Sequence, residues 1–129
     1  MTAGTPVRPL FAVVDDEPFM AQLVSDLLIS GGAAVEIFSL GSDLLKSPRL
    51  TKFKAIILDL SLPDIDGFEI MEKLASDFIG LSIVLMSGHD LAVARAAMIY
   101  GNGIGLKMCA ALKKPFTKDE LFSALGISK

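Results

Sequence analysis

The amino-acid sequence predicts an α/β fold in which helices cover both faces of a five-stranded parallel sheet. Two observations predict this class: short, largely apolar runs recur along the chain, and segments with helical spacing of apolar residues alternate with them. Right-handed crossovers lay each helix back over the sheet, so this alternation favours a parallel arrangement. At 129 residues, 52% of them hydrophobic, the chain has the size and composition of one globular domain.

The first predicted strand is Leu10–Val14, a continuous apolar run that stops at two acidic residues. Its length and its lack of polar alternation are typical of a strand buried on both faces. Pro18 follows as the expected first residue of a helix, and apolar residues recur at helical spacing as far as Leu28. The glycines Gly31 and Gly32 predict the end of that helix.

The following segments repeat the alternation. Ala34–Phe38 predicts a short second strand, and Ser42–Lys46 predicts a short helix that Pro48 closes. The third strand, Ala55–Leu58, is again wholly apolar and ends at an acid. A turn-rich stretch over residues 62–67 then separates it from the third helix.

The third helix is predicted to begin near Asp66, because Glu69 three residues later completes the spacing of a capping box. Ile83–Met86 predicts the fourth strand. The alanine-rich stretch Asp90–Tyr100 predicts the fourth helix, and the glycine-broken segment Gly101–Gly105 predicts its end.

Met108–Leu112 predicts the fifth strand, and Thr117 with Glu120 has capping-box spacing at the start of a last helix. The stretch before the first strand contains threonines, a glycine and two prolines, and it lacks an apolar run of signal-peptide length. We therefore expect a disordered lead-in over residues 1–9 and one folded domain over residues 10–129.

Charge and cysteine content argue against several classes of function. The net charge is −3, and the 12 Lys and Arg residues form no basic stripe, so direct nucleic-acid binding is not expected. The single cysteine, Cys109, excludes an internal disulfide and a zinc site with paired cysteines, and it is expected to be a buried apolar residue. This cysteine content fits a reducing, cytoplasmic location. The apolar runs are too short to span a bilayer.

Polar and charged side chains stand where four of the predicted strands end. Asp15 and Asp16 follow the first strand, Asp59 ends the third, Ser87 ends the fourth, and Lys114 follows the fifth. The carboxyl ends of parallel strands meet at one edge of a sheet, and that is where folds of this class bind ligands. Polar residues punctuate strands in many proteins, but this combination at one edge predicts a functional site.

The residue types at this edge indicate phosphoryl chemistry with a divalent metal. Three carboxylates in one cleft repel each other, and a bound cation relieves that repulsion. Oxygen ligands without His or Cys select a hard ion, and Mg²⁺ accepts a few carboxylates together with water and phosphate oxygens. Asp59 would then act as a nucleophile toward phosphorus. Lys114 offers a positive charge to the phosphoryl oxygens, and the Ser87 hydroxyl offers a hydrogen bond.

Four motifs within residues 10–127 resemble those of the receiver domains of bacterial two-component response regulators. They are Val13-Val14-Asp15-Asp16-Glu17-Pro18, Asp59-Leu60-Ser61-Leu62-Pro63-Asp64-Ile65-Asp66-Gly67, Ser87-Gly88 and Lys114-Pro115-Phe116. The resemblance implies that Asp59 is the phosphoacceptor and that Lys114 and Ser87 assist the transfer. It implies that the chain hydrolyses its own acyl phosphate, and that it acts as a timed switch rather than as an enzyme with a turnover product.

The same resemblance implies a Mg²⁺ site. Asp16 and Asp59 would contact the metal directly, Asp15 would contribute mostly through water, and the backbone carbonyl of Ser61 would be the remaining protein ligand. In the family the bond between the residues that correspond to Lys114 and Pro115 is usually a cis peptide, which is energetically accessible before proline.

The resemblance also implies a flavodoxin-like sheet of strand order 2-1-3-4-5. The implied phosphoryl donor is a phosphohistidine on a sensor histidine kinase or a phosphotransfer protein. The implied recipient of the signal is an output domain or a downstream protein. The sequence leaves open the cognate kinase, the output pathway, the oligomeric state and whether the chain acts alone or as part of a longer regulator.

The chain departs from the family pattern at several positions. Ala111 stands three residues before Lys114, where many receivers carry a Tyr or Phe that moves with the signal, so the route of propagation stays open. The stretch between Ser87 and Lys114 looks several residues longer than in compact receivers, chiefly in Gly101–Met108, and either an extended helix or a protruding loop would account for it. His89 stands where family members vary; both an effect on water access and a solvated surface position are consistent with it.

Three other functions fit parts of this pattern. A pseudo-receiver would use the same fold as a docking module without phosphorylation, but such domains commonly lack one or more of the acidic, hydroxyl and lysine residues present here. An aspartyl phosphatase would carry a second acid two residues after its nucleophile, where this chain has Ser61. A flavin carrier would need a phosphate-binding loop after the first strand, where Asp15 and Asp16 stand.

Overall fold

The computed structural model describes residues 8–77, 80–88 and 90–127, and within them five parallel strands form one sheet of order β2-β1-β3-β4-β5. The strands are β1 (Leu10–Val14), β2 (Ala34–Phe38), β3 (Ala55–Asp59), β4 (Ser82–Ser87) and β5 (Lys107–Lys113). The helices are α1 (Pro18–Ser30), α2 (Gly41–Leu45), α3 (Gly67–Asp77), α4 (Leu91–Gly103) and α5 (Lys118–Leu125), with a 3-10 turn over Leu50–Lys52. The predicted fold class and strand order are confirmed.

The central strands are buried on both faces, as their continuous apolar runs predict. In β1, Ala12 and Val14 face a core that also contains residues of α2, α3 and α4, whereas Phe11 and Val13 face a second core with residues of α1 and α5. Side chains alternate between the two faces of a strand, so each face needs its own apolar set. The sheet is therefore the middle layer of three, and the strand ends are the places where polar side chains reach solvent.

The close packing of α1 against α5 depends on a glycine. At Gly31 an added Cβ would lie 2.6 Å from Cζ of Phe122, a fully buried ring. A buried ring has little room to move aside, so we expect Gly31→Ala to lower the free energy of unfolding by about 2 kcal/mol. Urea denaturation measures this. Gly103→Ala is the control, because its Cβ would meet nothing within 4 Å, and it should leave the stability unchanged or raise it. Equal stability of Gly31→Ala and the wild type would contradict this packing.

The fourth helix is longer than the glycines in its sequence suggest. It continues through Gly101 and ends at Gly103, which answers the choice between an extended helix and a protruding loop in favour of the helix. A Cβ at Gly101 would lie 2.7 Å from Cγ of Met108, so the glycine lets α4 pack directly on β5. Tertiary packing thus outweighs the low helix propensity of glycine here.

The fifth strand carries an irregularity at the cysteine. Ile83 pairs with Met108 and Val84 pairs with Ala110, so Cys109 is the extra residue of a bulge. Its side chain is half-buried against the core of α1 and α5, rather than fully buried as the sequence predicted. The bulge explains the difference, because a residue outside the regular pairing does not follow the strict alternation of the strand.

The helix starts that were read from capping residues are largely as predicted. Thr117 and Glu120 form the expected capping box before α5. At α3, the Asp66 carboxylate accepts a hydrogen bond from the backbone N–H of Phe68 at 2.8 Å, two residues on, whereas the spacing pointed to Glu69. The start of the helix is therefore where it was predicted, but the capping hydrogen bond joins residues two apart in the sequence rather than three.

Residues 1–7 of the predicted lead-in lie outside the described residues. The carbonyl of Pro9 accepts a hydrogen bond from Ala34 N–H at 2.8 Å, so pairing with the segment of β2 begins one residue before β1. Among the described residues, no helix combines the length and the apolar character needed to cross a membrane.

Candidate functional site

The carboxyl edge of the sheet gathers the six predicted site residues around one open cleft of about 550 Å³. Asp59 and Ser87 are the last residues of β3 and β4, while Asp15 and Lys114 directly follow β1 and β5. The cleft is lined by Asp16, Asp59, Ser61, Ser87 and Lys114, and Asp15, which is 1% exposed, is buried next to Asp16 and Asp59. These residues lie close together because neighbouring strands are parallel, so their carboxyl ends lie at the same edge of the sheet.

Three carboxylates form an acidic cluster in this cleft. Asp15, Asp16 and Asp59 each offer a carboxylate oxygen, and these oxygens lie within 4.8 Å of one another. Asp15 and Asp59 are buried, whereas Asp16 is exposed to solvent. Buried acids at this separation raise each other's cost of ionisation unless cations are present. The cluster therefore has the charge and the hard oxygen donors that suit a divalent cation such as Mg²⁺.

Backbone hydrogen bonds orient the two buried carboxylates. Asp15 Oδ1 accepts from Glu17 N–H at 2.9 Å, and Asp59 Oδ1 accepts from Ser61 N–H at 3.0 Å. Each bond spans two residues and turns the chain sharply after its strand, as an aspartate at the start of a turn typically does. In both residues the other oxygen, Oδ2, accepts a hydrogen bond from the Lys114 ammonium group.

Lys114 bridges the two buried acids. Its Nζ lies 2.8 Å from Asp15 Oδ2 and 3.1 Å from Asp59 Oδ2, and the lysine side chain is only 12% exposed. The backbone N–H of Lys114 donates to Ser87 O at 2.8 Å, and the Lys114–Pro115 peptide bond is cis, as the family resemblance implied. Lys114 is therefore held by hydrogen bonds at both its backbone N–H and its side-chain ammonium group.

The pKa values of Asp59 and Lys114 are shifted by burial and by the attraction between their charges. Burial raises the pKa of Asp59 above its ordinary value, and the hydrogen bond from Ser61 and the charge of Lys114 offset this only in part. Burial lowers the pKa of Lys114, but the hydrogen bonds with Asp15 and Asp59 outweigh it, so the net pKa is raised. Lys114 therefore stays a cation at neutral pH, and the ionised form of Asp59 carries a free-energy cost.

The raised pKa of Asp59 makes the stability depend on pH. Between the unfolded value near 3.8 and the raised folded value, the folded state holds more protons, so the contribution of Asp59 to stability falls as the pH rises. In EDTA, we expect Asp59→Asn to be more stable than the wild type at neutral pH. Urea denaturation should show this difference shrinking as the pH is lowered toward about 4. A difference that grows on acidification would contradict the assignment.

The remaining predicted residues have different surroundings. Ser87 is buried, and its hydroxyl donates to Asp90 O at 3.5 Å, a long hydrogen bond to the residue that caps α4. Ser61 is exposed at the rim of the cleft. Ala111 is half-buried and packs against the core beneath α4, and His89 lies outside the described residues.

Sequence reasoning missed two acids near the cleft. Glu17 Oε1 lies 4.0 Å from Lys114 Nζ, and Asp90 caps α4 by accepting from Val93 N–H at 3.1 Å. The third consecutive acid after β1 was the available signal for Glu17. For Asp90, its position just before an alanine-rich helix was the signal, since aspartate is a favoured N-cap residue.

Comparisons with known proteins agree with this geometry. Residues 11–126 match the family model of the response regulator receiver domain. The chain is 32% identical over 118 residues to the probable transcriptional regulatory protein TcrX of Mycobacterium tuberculosis, covering 92% of this chain and 47% of that protein. The chain thus spans about half the length of the curated relatives it matches.

Solved structures show the same fold. A response regulator receiver domain protein from Clostridium thermocellum superposes with a TM-score of 0.81 at 25% identity, over 92% of this chain and 91% of that one. A response regulator from Colwellia psychrerythraea superposes with a TM-score of 0.79 at 28% identity, over 93% and 95% of the two chains. Receiver domains are generally non-enzymatic signalling modules. Family match, sheet order and the acidic cleft agree, and the chain belongs to the response regulator receiver domain family.

Proposed function

We propose that this receiver takes a phosphoryl group onto Asp59 from a sensor histidine kinase or a phosphotransfer protein, and thereby switches an output domain or a downstream partner. One observation carries the proposal: the buried Asp59 carboxylate lies 3.1 Å from the Lys114 ammonium and within 4.8 Å of two further carboxylates. A single arrangement thus combines a nucleophile, a fixed cation and donors for a metal.

The proposed transfer makes one bond and breaks another. An Asp59 carboxylate oxygen bonds to phosphorus while the phosphorus–nitrogen bond of a phosphohistidine breaks, and the electron pair returns to the imidazole nitrogen. Lys114 neutralises charge on the phosphoryl oxygens. The Ser87 hydroxyl donates a hydrogen bond to one of them, in exchange for its long bond to the Asp90 carbonyl.

The donor set fits Mg²⁺, which when bound would neutralise both the carboxylates and the incoming phosphoryl oxygens. Asp16 and Asp59 would hold it directly, Asp15 mostly through water, and Ser61 through its backbone carbonyl. The tight contact of Asp15 Oδ2 with Lys114, at 2.8 Å, supports the less direct role for Asp15. The exposure of Asp16 supports a site that solvent and donor can both reach.

The wider setting is proposed from the same family membership. We propose a bacterial, cytoplasmic protein whose partners are a kinase or phosphotransfer protein on one side and an output domain or downstream protein on the other. Its cycle of phosphorylation and self-catalysed hydrolysis would time a signal rather than release a product. Direct nucleic-acid binding by this chain is not part of the proposal, because its net charge is −3.

Incubation with acetyl phosphate tests the proposal without a cognate kinase. We expect intact mass spectrometry to show an adduct of one phosphoryl group when Mg²⁺ is present, and no adduct when EDTA replaces it. The metal requirement follows from the repulsion between the acidic cluster and an anionic donor. A protein that binds no phosphoryl group in either buffer would instead favour the alternative, a pseudo-receiver that docks partners without phosphorylation.

A further inference from the structure

The short helix α2 takes its N-terminal cap from a distant residue. Leu40 occupies the N-cap position, and its side chain makes no capping hydrogen bond. Asp64, 23 residues along the chain from Gly41, supplies the missing acceptors: Oδ1 accepts from Gly41 N–H at 3.1 Å, and Oδ2 accepts from Ser42 N–H at 3.0 Å. The loop that follows β3 is thus bonded to the start of α2.

A second contact joins the same two segments. A Cβ at Gly41 would lie 2.6 Å from Cδ1 of Ile70 and closer still to Cγ2 of Ile65. Gly41 therefore lets Ile65, the neighbour of Asp64, pack against the backbone of α2. Packing and hydrogen bonding fix the tip of the loop independently of each other.

The base of this loop is closed as well. The backbone N–H of Leu60 donates to Met86 O at 3.1 Å, which extends the pairing of β3 with β4 beyond Asp59. An added Cβ at Gly67 would lie 2.9 Å from Cδ2 of Leu60, so the two ends of the loop touch. Ser61, which lies between this closed base and the Asp64 bonds, is held from both sides.

We propose that Asp64 is a positioning residue for the metal site: its bonds to α2 hold the loop over residues 60–66, and with it the backbone of Ser61, in place beside the acidic cluster. The inference rests on the proposed function, in which the Ser61 backbone carbonyl is a Mg²⁺ ligand. Asp64 itself is not among the residues that line the cleft.

Two physical arguments support this role. Hydrogen bonds to an ionised carboxylate are stronger than neutral ones, and the Ser42 and Gly41 N–H groups lower the pKa of Asp64, so it stays ionised at neutral pH. A ligand held in place before the metal arrives loses less conformational freedom on binding, and groups that orient the ligands of a metal strongly affect its affinity.

Isothermal titration of the intact chain with MgCl₂ tests the inference. We expect Asp64→Ala to weaken Mg²⁺ binding about tenfold, and Asp64→Asn, which keeps one acceptor oxygen, to weaken it less. Asp43→Ala is the matched control, because it removes one negative charge from an exposed position in the first turn of α2 and leaves the Asp64 hydrogen bonds to Gly41 and Ser42 intact. This variant should bind Mg²⁺ as the wild type does.

A second substitution separates positioning from simple support of α2. Leu40→Ser offers α2 a cap of its own, because serine is a favoured N-cap residue and Leu40 already has an extended backbone. In the Asp64→Ala background we expect Leu40→Ser to raise the melting temperature while Mg²⁺ binding stays weak. Recovery of Mg²⁺ affinity together with the melting temperature would show that Asp64 only stabilises the helix, and would overturn the inference.

The remaining outcomes are also decisive. If Asp64→Ala binds Mg²⁺ within twofold of the wild type while the wild type is phosphorylated, the positioning role is wrong and the proposed function stands. If the wild type binds no Mg²⁺ at millimolar concentrations, both proposals fall. Circular dichroism spectra identical to that of the wild type establish that each variant compared is folded.

Discussion

Asp59→Asn should abolish the phosphoryl adduct that acetyl phosphate forms on this chain. The substitution keeps the size of the side chain and its ability to accept from Ser61 N–H, so the fold is expected to survive. It removes the carboxylate oxygen that acts as nucleophile, and an amide is a far weaker nucleophile toward phosphorus. We expect complete loss of the adduct in intact mass spectra, at a Mg²⁺ concentration that gives full labelling of the wild type.

The matched control for this substitution is Asp77→Asn at the exposed C-terminal end of α3. It removes the same negative charge far from the cleft, and its labelling should equal that of the wild type. Persistence of the adduct in Asp59→Asn would mean that another residue receives the phosphoryl group, and would contradict the assignment of Asp59.

Lys114→Met should reduce both stability and phosphorylation. The substitution leaves two buried carboxylates, Asp15 and Asp59, without the cation that lies 2.8 and 3.1 Å from them. Removing one partner from a buried ionic cluster costs about 3 kcal/mol of unfolding free energy, because the remaining charges lose their compensation. Loss of the positive charge that faces the phosphoryl oxygens should slow labelling by roughly a hundredfold or more.

Lys113→Met is the control for this second prediction, because Lys113 is an exposed neighbour at the end of β5. It should change the free energy of unfolding by less than about 0.5 kcal/mol. Urea denaturation in EDTA gives the stabilities, and Mg²⁺ should restore part of the loss in Lys114→Met, since ligand binding stabilises the folded state. Equal stability of the two variants in EDTA would show that Lys114 does not compensate the buried acids.

Much of the fold was predictable because its strands are buried on both faces. A strand such as Ala55–Asp59 has no solvent-facing side, so its first four residues appear in the sequence as an unbroken apolar run. Such a run is shorter than a typical helix, and its length therefore favours a strand. The site followed from topology, because polar residues at the ends of parallel strands must share one edge. Asp15 and Lys114 are 99 residues apart in the sequence, and their hydrogen bond shows that this topology brings distant residues into contact.

The features that were not predicted depend on tertiary contacts. Gly101 reads as a helix breaker, but its lack of a side chain is what allows α4 to pack on Met108. The half-buried position of Cys109 comes from a bulge in the pairing of β4 with β5, which no local pattern signals. The capping of α2 by Asp64 joins segments 23 residues apart, and only the folded chain brings them together.

Reductive trapping tests the central claim most directly. Borohydride cleaves an aspartyl phosphate and leaves homoserine at the residue that carried it, so peptide sequencing by mass spectrometry identifies the phosphoacceptor. After treatment with acetyl phosphate and Mg²⁺, the account predicts a homoserine at Asp59 and at none of the neighbouring acids. Homoserine at Asp15 or Asp16 instead, or a chain with no trapped residue, would contradict it.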